Sequence, residues 1–550
     1  MWVCVWLCVA PQLAQAQSDE EAQREAQMFG QPDPSSDDPP PESTDKPEAE
    51  DEDDEDASQA PTPEAPSEDA PIAPQTSTSS REEAMFGEEP VPQAGPTARP
   101  QEVVLEDPLE AMDEALEEAE DRLALGGFLF MQGNYSINES DDSEDWTLRA
   151  PQLFDLFLDA RPNPRLRTYA RARLLYDFTI NEPTQTLLGE PEMPDGQDLR
   201  ALGRTPSKTT VQLDQLWVKF DINRAVYVTI GRQRIRWGAG RFWNPTDFLN
   251  ASQIDPLALF DARLGVDLIK LHYPVESLGW NFYAFGILGD ATNLGDVGGA
   301  LRGEFVFGTN EVSLSFSARR QTFQGPNALP PIYEPDQQWP NTTVPLRFGI
   351  DYSGALGPLD LRAEGALTRG LGQPFYRGNL RLEDLGDLAL PRDLSREDEW
   401  LAQAVVGAEV AIKYNDEDSL FLGAEYFYNQ WGYEDPDLYL WLLLQGGFRP
   451  LYLGRHYAGV GAILPSPGSW NDSTFSLSAL GNLSDRSFLS RLDYSVRVLT
   501  DLSVNVFATK YLGRQGEFKF RVQVPSLGTT PEVNLPAPSW DLGAGLRMSF

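Results

Sequence analysis

The chain has 550 residues, 85 Asp and Glu against 43 Lys and Arg, a net charge of -42 and a mean hydropathy of -0.39. So large an acidic excess argues against nucleic acid as a partner, and after the first ten residues no run reaches the roughly 18 apolar residues of a membrane-spanning helix. The 45 glycines and 11% aromatic residues suit a transmembrane β-barrel instead, because only alternate barrel residues face lipid and the hydropathy of each segment stays low; a large soluble β-protein is the other reading.

Residues 1–16 read as a secretory signal. Val3 to Ala10 form a short apolar core and Ala14-Gln15-Ala16 fits a cleavage site. The usual positive region ahead of the core is missing, which points to a true start further upstream. Both cysteines, Cys4 and Cys8, lie here without a convincing lipobox, so the mature chain offers neither a disulfide nor a thiolate metal site.

Residues 1–125 hold 34 acidic and 5 basic residues, whereas 126–550 hold 51 and 38, so most of the acidity belongs to the N-terminal part. From 17 to 100 the chain is rich in Pro, Glu, Asp, Ser, Gln and Ala, with an unbroken acidic run from Asp51 to Asp56. Such a segment buries too little apolar surface to offset its ordering entropy and is predicted to be disordered. At ~3 Å per residue its ~80 residues span a couple of hundred ångströms. Within it, Arg24-Glu-Ala-Gln-Met-Phe-Gly30 returns as Arg81-Glu-Glu-Ala-Met-Phe-Gly87. Met28, Phe29, Met85 and Phe86 read as two copies of an apolar docking motif for a periplasmic protein partner, gaining avidity from their shared tether, or as chance repetition in a low-complexity segment. Residues 101–125 place Leu109, Met112, Leu116, Ala119 and Leu123 at helical spacing, predicting one short amphipathic helix. It lies under the barrel rim, plugs its floor or pairs with another chain.

Residues 126–550 read as the barrel. Alternation and turn signals give about 18 strands (16–18), at 126–137, 153–161, 165–178, 209–220, 225–236, 263–273, 279–288, 298–307, 311–321, 345–354, 358–370, 402–414, 419–430, 455–465, 472–482, 486–499, 502–512 and 540–550. Connections alternate between long and short, as they do between the outer and periplasmic ends of outer-membrane barrels. An even count puts both chain ends on the periplasmic side, and the acidic tail with them. The final strand is strictly alternating. Trp540, Leu542, Leu546, Met548 and Phe550 share the apolar parity, as a lipid-facing strand requires, and end on a terminal aromatic. This resembles the signal read by the bacterial barrel-assembly machinery, so the expected place is the cell outer membrane, in contact with its lipids.

An arginine facing lipid at the bilayer midplane costs about 2–4 kcal/mol, so runs of arginine at one parity predict a lumen wall. Arg165, Arg167, Arg171 and Arg173 share a parity with Tyr169, and Arg232, Arg234 and Arg236 repeat the device, with Arg241 following. Arg319 and Arg320 cannot both point inward from a regular strand. On later strands Glu364, Glu409 and Glu425 fall at the inward parity. Basic wall facing acidic wall gives a transverse field across an open lumen, or else salt bridges that partly fill it. The loop 237–262, carrying Phe242, Trp243, Asn244 and Asp247, is rich in aromatic and turn residues for an exposed segment. It reads as a constriction folded into the lumen, or as a cap that stiffens the rim.

The stretch Gly231-Arg-Gln-Arg-Ile-Arg-Trp-Gly-Ala-Gly-Arg-Phe-Trp-Asn-Pro-Thr-Asp247 resembles an element of porin-like outer-membrane proteins, including alginate-export-type barrels, and Asn482 to Asp485 and Lys510 to Gly516 resemble strand ends of the same group. The resemblance covers 126–550 and implies an arginine-lined channel passing anionic solutes or an acidic polysaccharide. The long acidic tail departs from that pattern and supports a second reading, a structural anchor for a secretion or motility complex. Only His272 and His456 are available for acid–base work, and alternation assembles no catalytic set around them, so an enzyme is not expected. Nor is any metal site or cofactor.

Overall fold

The computed structural model describes residues 122–140, 146–180, 208–250, 256–258, 263–289, 293–323, 341–378, 391–415, 418–444, 447–524 and 533–550. The signal segment, the acidic tail with Met28, Phe29, Met85 and Phe86, and the predicted helix as far as 121 lie outside the described residues.

Eighteen strands form one closed antiparallel barrel: β1 (Leu123–Asn138), β2 (Pro151–Asn163), β3 (Leu166–Asp177), β4 (Thr209–Ile222), β5 (Val226–Gln233), β6 (Val266–Val275), β7 (Trp280–Ile287), β8 (Gly298–Phe307), β9 (Asn310–Ala318), β10 (Leu346–Leu356), β11 (Leu359–Arg369), β12 (Leu401–Lys413), β13 (Ser419–Asn429), β14 (His456–Pro465), β15 (Ser473–Asn482), β16 (Ser487–Leu499), β17 (Leu502–Gly513) and β18 (Pro538–Ser549). Each strand pairs with its neighbours in sequence, and β18 returns to β1 with Ser549 opposite Phe128 and Leu542 opposite Tyr135. The seam is locked by reciprocal bonds: the Gly127 amide donates to the Phe550 carbonyl at 3.0 Å, and the Phe550 amide to the Gly127 carbonyl at 3.1 Å. Closure leaves no raw edge, which is what allows a sheet to stand in lipid.

The two faces of each strand differ as period-two alternation dictates. Leu174, Val406, Leu477, Trp540, Leu542 and Met548 are exposed on the outer surface, a belt that suits lipid and not water. Between them the inward positions carry charged, polar and close-packed aromatic residues. Long connections gather at one end of the barrel and short ones, such as 164–165, 308–309, 357–358 and 500–501, at the other. One long-end connection is short: 483–486 joins β15 to β16 in four residues. Residue 122 and Phe550 both lie at the short-turn end.

The strand set and its order agree with the alternation reading, and three local departures matter. Leu123, placed by helical spacing in the helix ending at 125, and Leu125 belong to β1 and pair with Ala160 and Leu158. Both are exposed on the outer face, so the apolar spacing there served lipid contact and not a helix face. β5 ends at Gln233, not 236, because the chain turns into the barrel. β4 carries a bulge at Asp214: Gln215 lies opposite Arg171 and Leu213 opposite Ala172. One extra residue reverses the parity of the strand beyond it, so Leu213 and Leu216 both face outward and Asp214 turns in.

Candidate functional site: a latched loop and an arginine ladder

The chain after β5 enters the lumen and crosses to the far wall. Gly238 makes the turn in the left-handed region (φ 98°), and a Cβ there would meet Glu364 Oε1 at 2.6 Å. The glycines of Trp237-Gly-Ala-Gly240 thus let the backbone close on a carboxylate. Glu364, on β11, accepts from the Gly240 amide at 2.5 Å, the Thr246 amide at 3.3 Å and the Thr246 hydroxyl at 2.8 Å. Glu425, on β13, accepts from the amides of Arg241 (2.6 Å), Phe242 (3.0 Å) and Trp243 (2.9 Å). Two wall glutamates therefore hold five loop amides that no strand or helix would satisfy.

Apolar packing completes the latch. Trp243 has no exposed surface, lies 5.7 Å from the Phe427 ring and donates its indole N–H to the Leu451 carbonyl at 3.1 Å. Phe242 and Trp243 join Val405, Phe427, Tyr457, Leu480 and Leu489 in one buried cluster. Trp237, Phe248 and Leu249 pack on Leu268, Phe285 and Ile287 of the wall formed by β6 and β7. Asn244 is buried, and Asp247 is paired with Arg263 at 2.7 Å and bonded to Asn250 at 2.8 Å. The described part of this segment, 237–250, packs against inward side chains of β6, β7, β11 and β13.

Glu364, Glu409 and Glu425 do face inward. Their role departs from the solute-binding one expected of them: Glu364 and Glu425 are occupied by loop amides, and Glu409 by the Arg241 guanidinium at 2.9 Å. Alternation gives a side chain's direction; it cannot announce a loop that arrives from more than a hundred residues away.

The arginine run on β3 stands on another part of the wall, apart from the loop contacts just described. Arg167 forks onto Asp159 at 2.8 Å with Arg161 beside it at 2.7 Å. Arg171 and Arg173 share Asp155 at 2.7 and 2.9 Å. Asp214, turned inward by the bulge, takes Arg234 at 3.1 Å and lies 3.8 Å from both Arg171 and Arg173. Among the described residues, Arg161, Arg167, Arg171, Arg173 and Arg234 thus meet Asp155, Asp159 and Asp214. Phe157, Tyr169 and Trp217 stack beside it at 6.0 and 5.5 Å, with the Arg167 guanidinium 5.5 Å from the Trp217 ring.

Other expected members stand elsewhere. Arg165 is exposed at the short-turn end and paired with Asp221 at 2.9 Å. Arg232 lies opposite the outward-facing Leu216, and beside Asp267 at 2.5 Å, so it faces outward and not into the lumen. At the last turn of β5 it sits near the membrane boundary, where an outward arginine costs only about 0–1 kcal/mol. Arg236 is exposed on the entering loop and falls outside the ladder. Arg320 pairs with Asp296, leaving Arg319 as the inward member of that dipeptide.

Alternation missed the acids of the ladder. Asp155 and Asp159 had the inward parity of β2, and Asp214 was marked by two large apolar residues three apart, Leu213 and Leu216, where period two allows only even spacing. A second cluster at the long-loop end was also missed. Asn482 donates to Asp485 and to Glu517, both at 2.9 Å, Tyr457 donates to Glu517 at 2.6 Å, and Leu451 donates its amide to the same carboxylate. Burial pushes the Glu517 carboxyl up to about 8 and raises that of Asp485. This network ties the connections 430–455 and 514–537 to the turn 483–486.

No family model and no curated protein matches the chain. Among solved structures it is similar to OmpT, an outer membrane protein of Vibrio cholerae, in its trimer form (TM-score 0.36, 11% identity, 78% of this chain and 100% of that one). It is also similar to the loop L8 deletion mutant of OmpT (TM-score 0.33, 9% identity, 78% and 99%) and to a triple mutant of the Rhodopseudomonas blastica porin (TM-score 0.36, 11% identity, 78% and 100%). Likeness at this level leaves the fold resting on the chain's own strand pairing.

Proposed function

We propose that the protein is an outer-membrane channel, narrowed by the latched loop and favouring anions, with acidic saccharides among its solutes. The observation that carries this reading is the position of the loop. The contacts of its described residues run over β6 to β8 and from β10 round to β16, apart from the cationic ladder on β2 to β4. A barrel of 16–18 strands encloses an aqueous lumen, and an inward loop narrows that lumen without filling it. Among the described residues five arginines meet three aspartates on that wall. Lys219 and Lys270, register partners of Thr229 on either side of β5, add two cations with no ion pair among the described residues. The stacked Phe157, Tyr169 and Trp217 give sugar rings an apolar face beside the guanidinium groups. In this reading the short turns face the periplasm, and the acidic tail is the segment proposed to meet a periplasmic partner.

The test is the reversal potential of the barrel in a planar bilayer under a chloride gradient. Stable conductance with an anion-favouring potential is expected, shifting toward zero in Lys219→Ala/Lys270→Ala. Silence or cation preference would refute the channel reading and turn attention to the barrel as an anchor for the tail.

A further inference from the structure

A second group of cations stands apart from the ladder, at the long-loop end of the barrel. Arg347 is the second residue of β10, at the inward parity, opposite Ser317 of β9. Arg319 follows two residues after Ser317 on the same inner face, which makes the two diagonal neighbours about 7–8 Å apart at the backbone. Its stem lies against the inner face of β8, where a Cβ on Gly298 would meet Arg319 Cβ at 3.0 Å. The third member, Arg449, is exposed on the connection between β13 and β14, two residues before Leu451, whose carbonyl holds Trp243 of the latched loop.

What surrounds these arginines differs from every other inward arginine described above. The ladder arginines each have a carboxylate. Arg347 donates instead to neutral acceptors, the Gln321 side chain at 3.0 Å and the Phe248 carbonyl at 3.5 Å, with its guanidinium 6.0 Å from the Phe248 ring. The charged groups acting on it are Arg319 and Arg449, both cations, with no carboxylate among the described residues. Arg347 and Arg319 share one inner face, Arg449 lies near enough for its charge to act on Arg347, and neutral groups fix the orientation of Arg347; like charges so placed cost energy that an anion between them would recover. Guanidinium forks match the oxygens of a carboxylate or phosphate in bidentate fashion.

We propose that Arg319, Arg347 and Arg449 form an oxyanion-binding site for a soluble solute at the outer mouth of the lumen, beside the latched loop. The inner-face position separates it from the lipid surface and its headgroup phosphates. The site rests on the channel reading for its purpose, since it would load anions where they meet the constriction, but binding itself does not require conduction.

The experiment is calorimetric titration of the detergent-solubilised full-length protein with inorganic phosphate and with glucuronate, in a chloride background. One saturable site is expected for at least one of the two oxyanions, and which one binds identifies the preferred head group. Arg449→Gln and Arg347→Gln should each weaken it by about tenfold, the loss of one charge-assisted contact. Arg449→Gln, on an exposed connection, keeps the test valid should Arg347→Gln fail to fold. Vesicles carrying lipid phosphate should not compete. Absence of saturable binding, or wild-type affinity in Arg449→Gln and Arg319→Gln, would overturn the site. A protein that binds phosphate but is silent in a bilayer would keep the site and lose the channel; one that conducts anions without binding would do the reverse.

Discussion

Glu425 shows how much one inward side chain can hold. Its carboxylate takes three consecutive loop amides, and an unsatisfied buried N–H costs about 1–3 kcal/mol. Glu425→Ala is therefore expected to free the loop and to increase single-channel conductance, with the barrel still closed by its strand pairs; an unchanged conductance would mean that the loop does not narrow the path. Arg173 poses the opposite case. It is 3% exposed and shares Asp155 and Asp214 with Arg171 and Arg234, so its removal leaves buried carboxylate uncompensated. Breaking such a pair costs about 3–5 kcal/mol. Arg173→Ala should lower thermal stability by that amount and change selectivity little, whereas Arg167→Ala, at the more open end of the ladder, should shift reversal potential and leave stability nearly unchanged. At this scale the sequence told direction but not employment. The parity of Glu364, Glu409, Glu425, Arg171 and Arg173 was legible because lipid forbids the alternative. Their partners were not, since Gly240, Arg241 and Asp214 reach them through a loop and a bulge that no periodicity records.

At the scale of elements, the connections at the long-loop end behave as a unit with its own chemistry. Glu517 sits inside the Asn482 network, and burial raises its carboxyl from 4.5 to about 8. When the loop is closed Glu517 keeps its proton up to about pH 8; when the loop opens into water it releases that proton near 4.5. Between those values the open form binds fewer protons, so rising pH favours opening. Proteolytic cleavage within 514–537 is expected to quicken from pH 5 to pH 8, and Glu517→Gln, which keeps the shape without the titration, should flatten the profile. A wild-type rate independent of pH would contradict the buried proton. Strands were the most readable elements because their face is set by two contrasting solvents. The boundary at Leu123 was not, since apolar residues four apart fit either a helix stripe or an outward strand face when no turn residue intervenes.

For the molecule as a whole, the proposed anion preference rests on the field of cations that are largely paired among the described residues and not on an unpaired wall of arginine. Such a field is screened within about 10 Å at 0.1 M salt and within about 3 Å at 1 M. The reversal potential is thus expected to report strong anion preference in dilute chloride and weak preference in molar chloride. A preference independent of salt would point to tight binding sites instead of a diffuse field.

The seam between β1 and β18 carries one more consequence, for how the chain acquires its shape. Phe128 and Ser549 are neighbours in space and about 420 residues apart along the chain. Every other junction joins strands that follow one another, so each hairpin closes only a modest length of backbone. The last junction alone must bring the two termini of the sheet together, after seventeen others exist, and contacts of such long range form slowly. Until then the growing sheet presents two unsatisfied borders to any other chain in the same condition. The reciprocal Gly127 and Phe550 bonds are thus a finishing clasp, and loss of the final strand would leave a correctly begun protein that can only aggregate or be degraded.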